Sequence, residues 1–154
     1  METPQQKILI LGIGNLLMGD EGIGVQAIQY LQNQPWPAHV DLLDGGTGGF
    51  YILSLLEAYK KIIMIDATMD NDPPGTLKLI EPTFASDFPK VLSSHDIGLK
   101  DLIESAVLLN HLPRIFLITV TIAELQELTL DLSPEIEAAI PLIHQMINNI
   151  LAVK

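Results

Sequence analysis

The sequence predicts an α/β domain on a largely parallel sheet, and three observations predict it. Short apolar runs suited to strands recur at 8–11, 40–43, 62–65, 76–80 and 114–121. Between the first three, apolar residues fall at helical spacing: Ile23, Ala27, Ile28 and Leu31, then Ile52, Leu53, Leu55, Leu56 and Tyr59. Strands alternating with such helices pair in parallel through crossovers. The third observation is composition. A hydrophobic fraction of 48% and a mean hydropathy of +0.35 exclude disorder and suit a sheet covered on both faces. At 154 residues the chain forms one domain, 1–154, with an adequate core.

Each element has its own justification. Ile8-Leu9-Ile10-Leu11 is too short for a buried helix and reads as a fully covered strand. A glycine-rich loop joins it to the first helix, which stops before Pro35-Trp36-Pro37 because proline removes a donor and biases its predecessor away from the helical region. Val40, Leu42 and Leu43 give a second strand ending at Asp44-Gly45-Gly46-Thr47. The second helix follows, with Lys60 and Lys61 placed near its negative C-terminal end. The third strand, 62–65, is the most apolar and terminates at Asp66-Ala67-Thr68.

There the rhythm changes. Asp70-Asn71-Asp72-Pro73-Pro74-Gly75 is a turn cluster, and 76–80 returns with no room for a crossover helix, so strands three and four are expected to pair antiparallel. A loop with two prolines, 81–90, leads to Ser93-Ser94-His95-Asp96 and to a third helix marked by Leu99, Leu102, Ile103, Ala106 and Val107. The fifth strand, 114–121, is rich in Ile, Leu, Val and Thr. Ser133-Pro134-Glu135-Ile136-Glu137 announces the last helix, with serine as cap, proline at the first position and acids in the first turn.

Charge narrows the function. Nineteen acids against eight lysines and arginines give a formal net charge of −11 and a pI near 4.5. Nucleic acid and anionic membranes need a basic surface and are excluded as partners, whereas cations are drawn in. There is no cysteine, hence no disulfide framework, no thiolate nucleophile and no sulfur metal site; any metal falls to His, Asp or Glu. The first residues are polar and no apolar run reaches spanning length, so a cytoplasmic protein without membrane insertion is expected.

The loop Gly12-Ile13-Gly14-Asn15-Leu16-Leu17-Met18-Gly19-Asp20-Glu21-Gly22-Ile23-Gly24 organises the chain. It joins strand to helix, where open α/β sheets place ligands. A phosphate cradle would use similar glycines, but four residues rather than two separate Gly14 from Gly19, and Asp20-Glu21 repels a phosphate and attracts a cation. A helix start with acidic first-turn residues is the plainer explanation. If strands one and three are neighbours, Glu21 and Asp66 approach one crevice. Two carboxylates about 4 Å apart repel by roughly 4 kcal/mol at an effective dielectric near 20. A shared proton or a cation must relieve that. His95, ahead of the third helix, would complete a two-carboxylate, one-imidazole site that suits zinc or nickel better than magnesium.

Plainer roles compete at each position. Asp66 and Asp44 both end strands and fit turns held by their own side chains. His95 fits a helix cap or an inert hydrogen-bonded histidine. His39, His111 and His144 are poorer candidates, lying at the far end of a strand, before a proline and inside an apolar-patterned helix.

Four motifs in order, the loop 12–24, Asp44-Gly45-Gly46-Thr47, Ile65-Asp66-Ala67 and Ser94-His95-Asp96-Ile97-Gly98-Leu99, resemble those of the hydrogenase maturation endopeptidases over nearly the full length. The resemblance implies a three-layer α/β/α sandwich on a five-stranded, mostly parallel sheet with one antiparallel strand. It implies removal of a C-terminal extension from the large-subunit precursor of a nickel–iron hydrogenase after nickel insertion. Carried over by motif, the metal-binding residues are Glu21, Asp66 and His95, with Asp44 the acid of a further motif. Relatives often continue after strand five with Ile-Glu-Pro or Ile-Gln-Pro; Thr121-Ile122-Ala123-Glu124 stands there in this chain. That departure bears on the shape of one side of the cleft, and so on partner choice.

The mechanism this implies uses water, since no Ser-His-Asp or Cys-His set can be assembled. Either a metal at Glu21, Asp66 and His95 polarises the scissile carbonyl or acidifies its water, or the three residues read nickel already in the substrate. The second version is favoured, with Glu21, Asp66 and Asp44 as the catalytic acids and bases and zinc or another divalent ion as a stand-in in vitro. The partner is then the precursor, and the chain is expected to be monomeric. Two other classes are weighed: a non-catalytic module that binds or senses nickel, and a nucleotide-binding enzyme, which Asp20-Glu21 disfavours.

Overall fold

The computed structural model describes residues 6–46, 50–82, 99–108 and 112–153. Its strands are β1 (Ile8–Gly12), β2 (Val40–Asp44), β3 (Lys61–Thr68), β4 (Leu77–Ile80) and β5 (Arg114–Thr121). The helices are α1 (Ile23–Leu31), α2 (Phe50–Ala58), α3 (Leu99–Leu108), α4 (Pro134–Glu137) and α5 (Ala139–Ala152), and a 3-10 turn, Gly19–Gly22, precedes α1. The strands form one sheet in the order β2-β1-β3-β5-β4. Pairings among β2, β1, β3 and β5 are parallel, and β4 alone runs antiparallel.

Alternation along the strands divides the core in two. Ile10, Ile63, Ile65, Ile118 and Val120 face α1 and α5 through Ile23, Ala27, Ile28, Leu31, Ile143 and Ile147. Leu9, Leu11, Ile62, Met64, Ile115 and Leu117 face α2 and α3 through Ile52, Leu55, Leu56 and Ala106. Both faces are therefore covered, which is the three-layer α/β/α sandwich. Burial of each such side chain is worth about 1.5–3 kcal/mol, and that explains why these strands carry apolar residues at successive positions rather than alternately.

Three expectations need correction. The returning strand β4 pairs with β5, not β3, because β1 and β5 already occupy both edges of β3. The turn cluster instead carries the chain past the end of β5: the Thr121 hydroxyl donates to Asp70 Oδ1 (2.8 Å) and Lys78 pairs with Asp70 (2.9 Å). Second, the last helix is divided at Ala138. Pro141 has no N–H to offer the carbonyl four residues back, and its ring crowds that carbonyl. Ser133 does occupy the cap position with Pro134 behind it, but its side chain makes no capping bond. Third, α2 has no basic residue in its last turn; Lys61 begins β3 and lies over the Phe116 ring, 5.2 Å from its centroid.

The approach of α1 to the sheet is unusually close. A Cβ built on Gly24 would collide with the carbonyl oxygens of Ile13 and Ile65, which are backbone and cannot swing aside. Gly24→Ala is therefore expected to cost at least about 2 kcal/mol of unfolding free energy, measured by urea denaturation. A variant as stable as the parent would show that the contact relaxes freely.

Candidate functional site

The site grows from the way β1 ends. The last β1–β3 partners are Gly12 and Ile65, after which Ile13 N donates to Ile65 O (2.9 Å) and the chain swings toward β2, where Gly14 N donates to Gly46 O (2.7 Å). Asp66 thus stands one residue beyond the pairing with β1, while its strand continues along β5 with Thr119 opposite. It does not close β3, as its place after the apolar run suggested; it sits within the strand, two residues before the end. This is the point at which neighbouring connections part to opposite faces, the place where open α/β sheets form a ligand crevice.

Glu21 comes to the same crevice on the 3-10 turn and is buried, at 6% exposure. Its Oε2 accepts from Asn15 N at 2.5 Å. Asp66 Oδ1 accepts from the neighbouring Ala67 N (2.8 Å). Burial pushes the Asp66 carboxyl up to about 8, the Glu21 charge pushes the same way, and the Ala67 N–H draws it back only in part. The two carboxyl groups are therefore close enough to feel each other. Burial and the neighbouring negative charge both favour the protonated form of Asp66.

His95, with Ser94 and Asp96, lies outside the described residues, as do Thr47 and His111. Among the described residues no group of three or more His, Asp or Glu converges as a metal site; Glu21 and Asp66 are a pair. Asp44 ends β2 opposite Gly12, so it shares this end of the sheet with Asp66, across β1. It is exposed and its Oδ1 accepts from Gly46 N (2.7 Å), which is the self-bonded turn available to such an acid. His39 lies at the other end of the sheet, its carbonyl accepting from Ile8 N (2.9 Å). His144 packs against Trp36 and Tyr30 with centroids 5.4 and 5.9 Å away.

Asp20 has a role the sequence did not disclose. Rather than drawing in a cation with Glu21, its carboxylate accepts from Ser133 N (2.7 Å) and from the Ser133 hydroxyl (2.6 Å), while its own N–H donates to Gln126 Oε1 (2.8 Å). Spacing of 113 residues hid that link. It fastens the segment after β5 to the residue next to Glu21. Gly19 makes room for it: φ is +55°, and a side chain there would strike the Gln126 amide.

Comparison with known proteins bears on the family and the fold. A family model described as hydrogenase maturation protease matches residues 25–150. The chain is 32% identical over 145 residues to the hydrogenase 2 maturation protease of Escherichia coli, covering 92% of this chain and 88% of that protein. It is 37% identical over 139 residues to a hydrogenase expression/formation protein HupD of Thiocapsa roseopersicina, covering 87% of this chain but 62% of that relative. Against HupD of Rhodobacter capsulatus it likewise spans only 66% of the relative's length. Among solved structures, the maturating endopeptidase HybD of E. coli superposes with a TM-score of 0.82 at 31% identity, over 95% of this chain and 93% of that one. A hydrogenase 2 maturation peptidase from a Thaumarchaeota archaeon gives 0.75 at 29% identity, over 97% and 100%.

Two outcomes follow from the site. Folded Asp66 holds its proton up to about pH 8, whereas the unfolded chain loses it near the ordinary value of 3.8, so folding stability from this group is greatest below about pH 4 and falls as pH rises toward 8. Asp66→Asn removes that slope. Its unfolding midpoint should exceed the parent's at pH 8, by more than the 2–4 °C or so that 1 kcal/mol represents in a domain of this size, with a smaller gap at pH 5; a constant gap would mean that Asp66 ionises normally. Asp20→Ala should cost about 2 kcal/mol and speed hydrogen exchange at the Ser133 amide.

Proposed function

From the premise that this chain belongs to the hydrogenase maturation protease family, we propose that it removes the C-terminal extension of a nickel–iron hydrogenase large-subunit precursor after nickel insertion. In this reading Glu21, Asp66 and His95 recognise the nickel that the substrate brings. The observation that carries it is the approach of Glu21 to Asp66, whose carboxyl is pushed up to about 8 by burial first and by the nearby Glu21 charge second.

That pairing suits a reader of cations. A precursor without nickel meets a site that has taken up a proton in place of a metal. A divalent ion arriving on the substrate compensates both carboxylates at once, and the Asp66 proton is released. Carboxylate oxygens and an imidazole are also a donor set that nickel or zinc accepts. No cysteine exists to attack the peptide bond, so water is the nucleophile: its oxygen adds to the scissile carbonyl, one proton passes to a carboxylate, and a proton returns to the leaving amine as the C–N bond breaks. Asp44, at the same end of the sheet and accessible, is the acid or base assigned to that transfer. Among the described residues no helix is long and apolar enough to cross a membrane.

Incubation with nickel-loaded and nickel-free precursor tests the proposal by a size shift. Only the loaded precursor should be shortened. Asp66→Asn and Glu21→Gln should each lower the rate by about 100-fold or more while remaining folded. Normal cleavage by Asp66→Asn would sink the assignment, and a protein that binds nickel but leaves the precursor uncut would be the non-catalytic binding module.

A further inference from the structure

The segment 123–132, immediately after β5, presents leucines to water. Leu125, Leu128 and Leu130 are 38%, 88% and 56% exposed, and Leu17 from the glycine-rich loop is 56% exposed. Chance exposure of single leucines is ordinary. Here, however, they sit on two segments locked together, for Gly19 N donates to Thr129 O (2.8 Å) and Thr129 N to Leu17 O (2.9 Å). Gln26 Nε2 holds the Leu130 carbonyl (2.7 Å), and Asp20 holds Ser133 and Gln126. The strap is thus fixed at several points, and one of its anchors adjoins Glu21.

Leu128 is the second observation. Its φ is +51°, a left-handed conformation that residues with a Cβ avoid, and it is the most exposed large apolar residue among those described. The isolated chain gains nothing from either property, and outliers of this kind gather where a protein meets something else.

The flanking charges say what that partner is. Glu124, Glu127 and Asp131 alternate with the leucines and are exposed, on a chain of net charge −11. A second copy would bring acids against acids, and an anionic lipid surface would be repelled. An apolar segment flanked by lysine or arginine satisfies both the leucines and the acids.

We propose that Leu17, Leu125, Leu128 and Leu130, rimmed by these acids, dock such a segment of the substrate precursor alongside the Glu21–Asp66 crevice. This rests on the function proposed above and adds how the precursor is chosen. Docking on a strap fastened through Asp20 delivers the partner to the residue beside it.

Leu128→Gly tests this cleanly, because glycine adopts the left-handed conformation freely and removes only the side chain. With nickel-loaded precursor, KM should rise roughly tenfold or more, kcat should change far less, and the unfolding midpoint should hold or rise. Glu127→Gln should flatten the salt dependence of KM. A wild-type KM in Leu128→Gly overturns the docking surface and leaves the peptidase reading intact. Precursor that binds the parent uncut, and binds Leu128→Gly more weakly, sinks the peptidase reading and supports the surface. A concentration-dependent dimer abolished by Leu128→Gly would assign the strap to self-association and overturn the proposal.

Discussion

The close contact between the start of α1 and the ends of β1 and β3 is what the rest of the molecule depends on. Gly24 lies against the carbonyls of Ile13 and Ile65, where no side chain fits. That contact sets the 3-10 turn above the sheet and brings Glu21 over the strand that carries Asp66. A larger residue at this point would lift the helix and part the two acids. Packing and chemistry are therefore one constraint here, since the geometry that buries Ile23 and Ile28 in the core also positions the site.

Once together, the acids make the site costly. A buried carboxyl raised to about 8 opposes folding over the whole range in which its unfolded counterpart would ionise. Nothing in the core requires an acid at this position of β3, which is apolar from Ile62 to Ile65. Such a residue is tolerated where function needs it, and a carboxyl pushed upward by burial and a like charge is the usual signature of a reactive site. Asp20 is the opposite case. It is less exposed than Asp66, at 3%, yet its two oxygens accept from the Ser133 N–H and hydroxyl. Adjacent acids thus divide the labour, one stabilising the wall of the crevice and the other facing into it.

The wall itself shows how the fold turns a connection into a surface. After β5 the chain has left the sheet and could run loosely, but bonds to Asp20, Gly19 and Gln26 draw it along the first loop. The same bonds force its leucines outward. A free loop would bury or scatter them; a strapped one cannot. Exposure here is a consequence of fastening, and fastening reaches back to the residue before Glu21.

Much of this was legible without coordinates. Strand five, 114–121, coincides with β5, because apolar period is a local property of the chain; that strands one and three are neighbours was only a condition, which the sheet order supplies. The ordered motifs singled out Glu21, Asp44, Asp66 and His95, of which the first three fall at one end of the sheet and His95 lies outside the described residues. Three features were decided only by the tertiary structure. The edge that β4 joined depended on which edges of β3 were already taken, and no local pattern records that competition. The bond from Asp20 to Ser133 spans 113 residues, so a carboxylate that looks like half of a cation pair proves to be a clasp. The upward push on Asp66 needs both its burial and the charge of Glu21, and these exist only once the chain has closed around them.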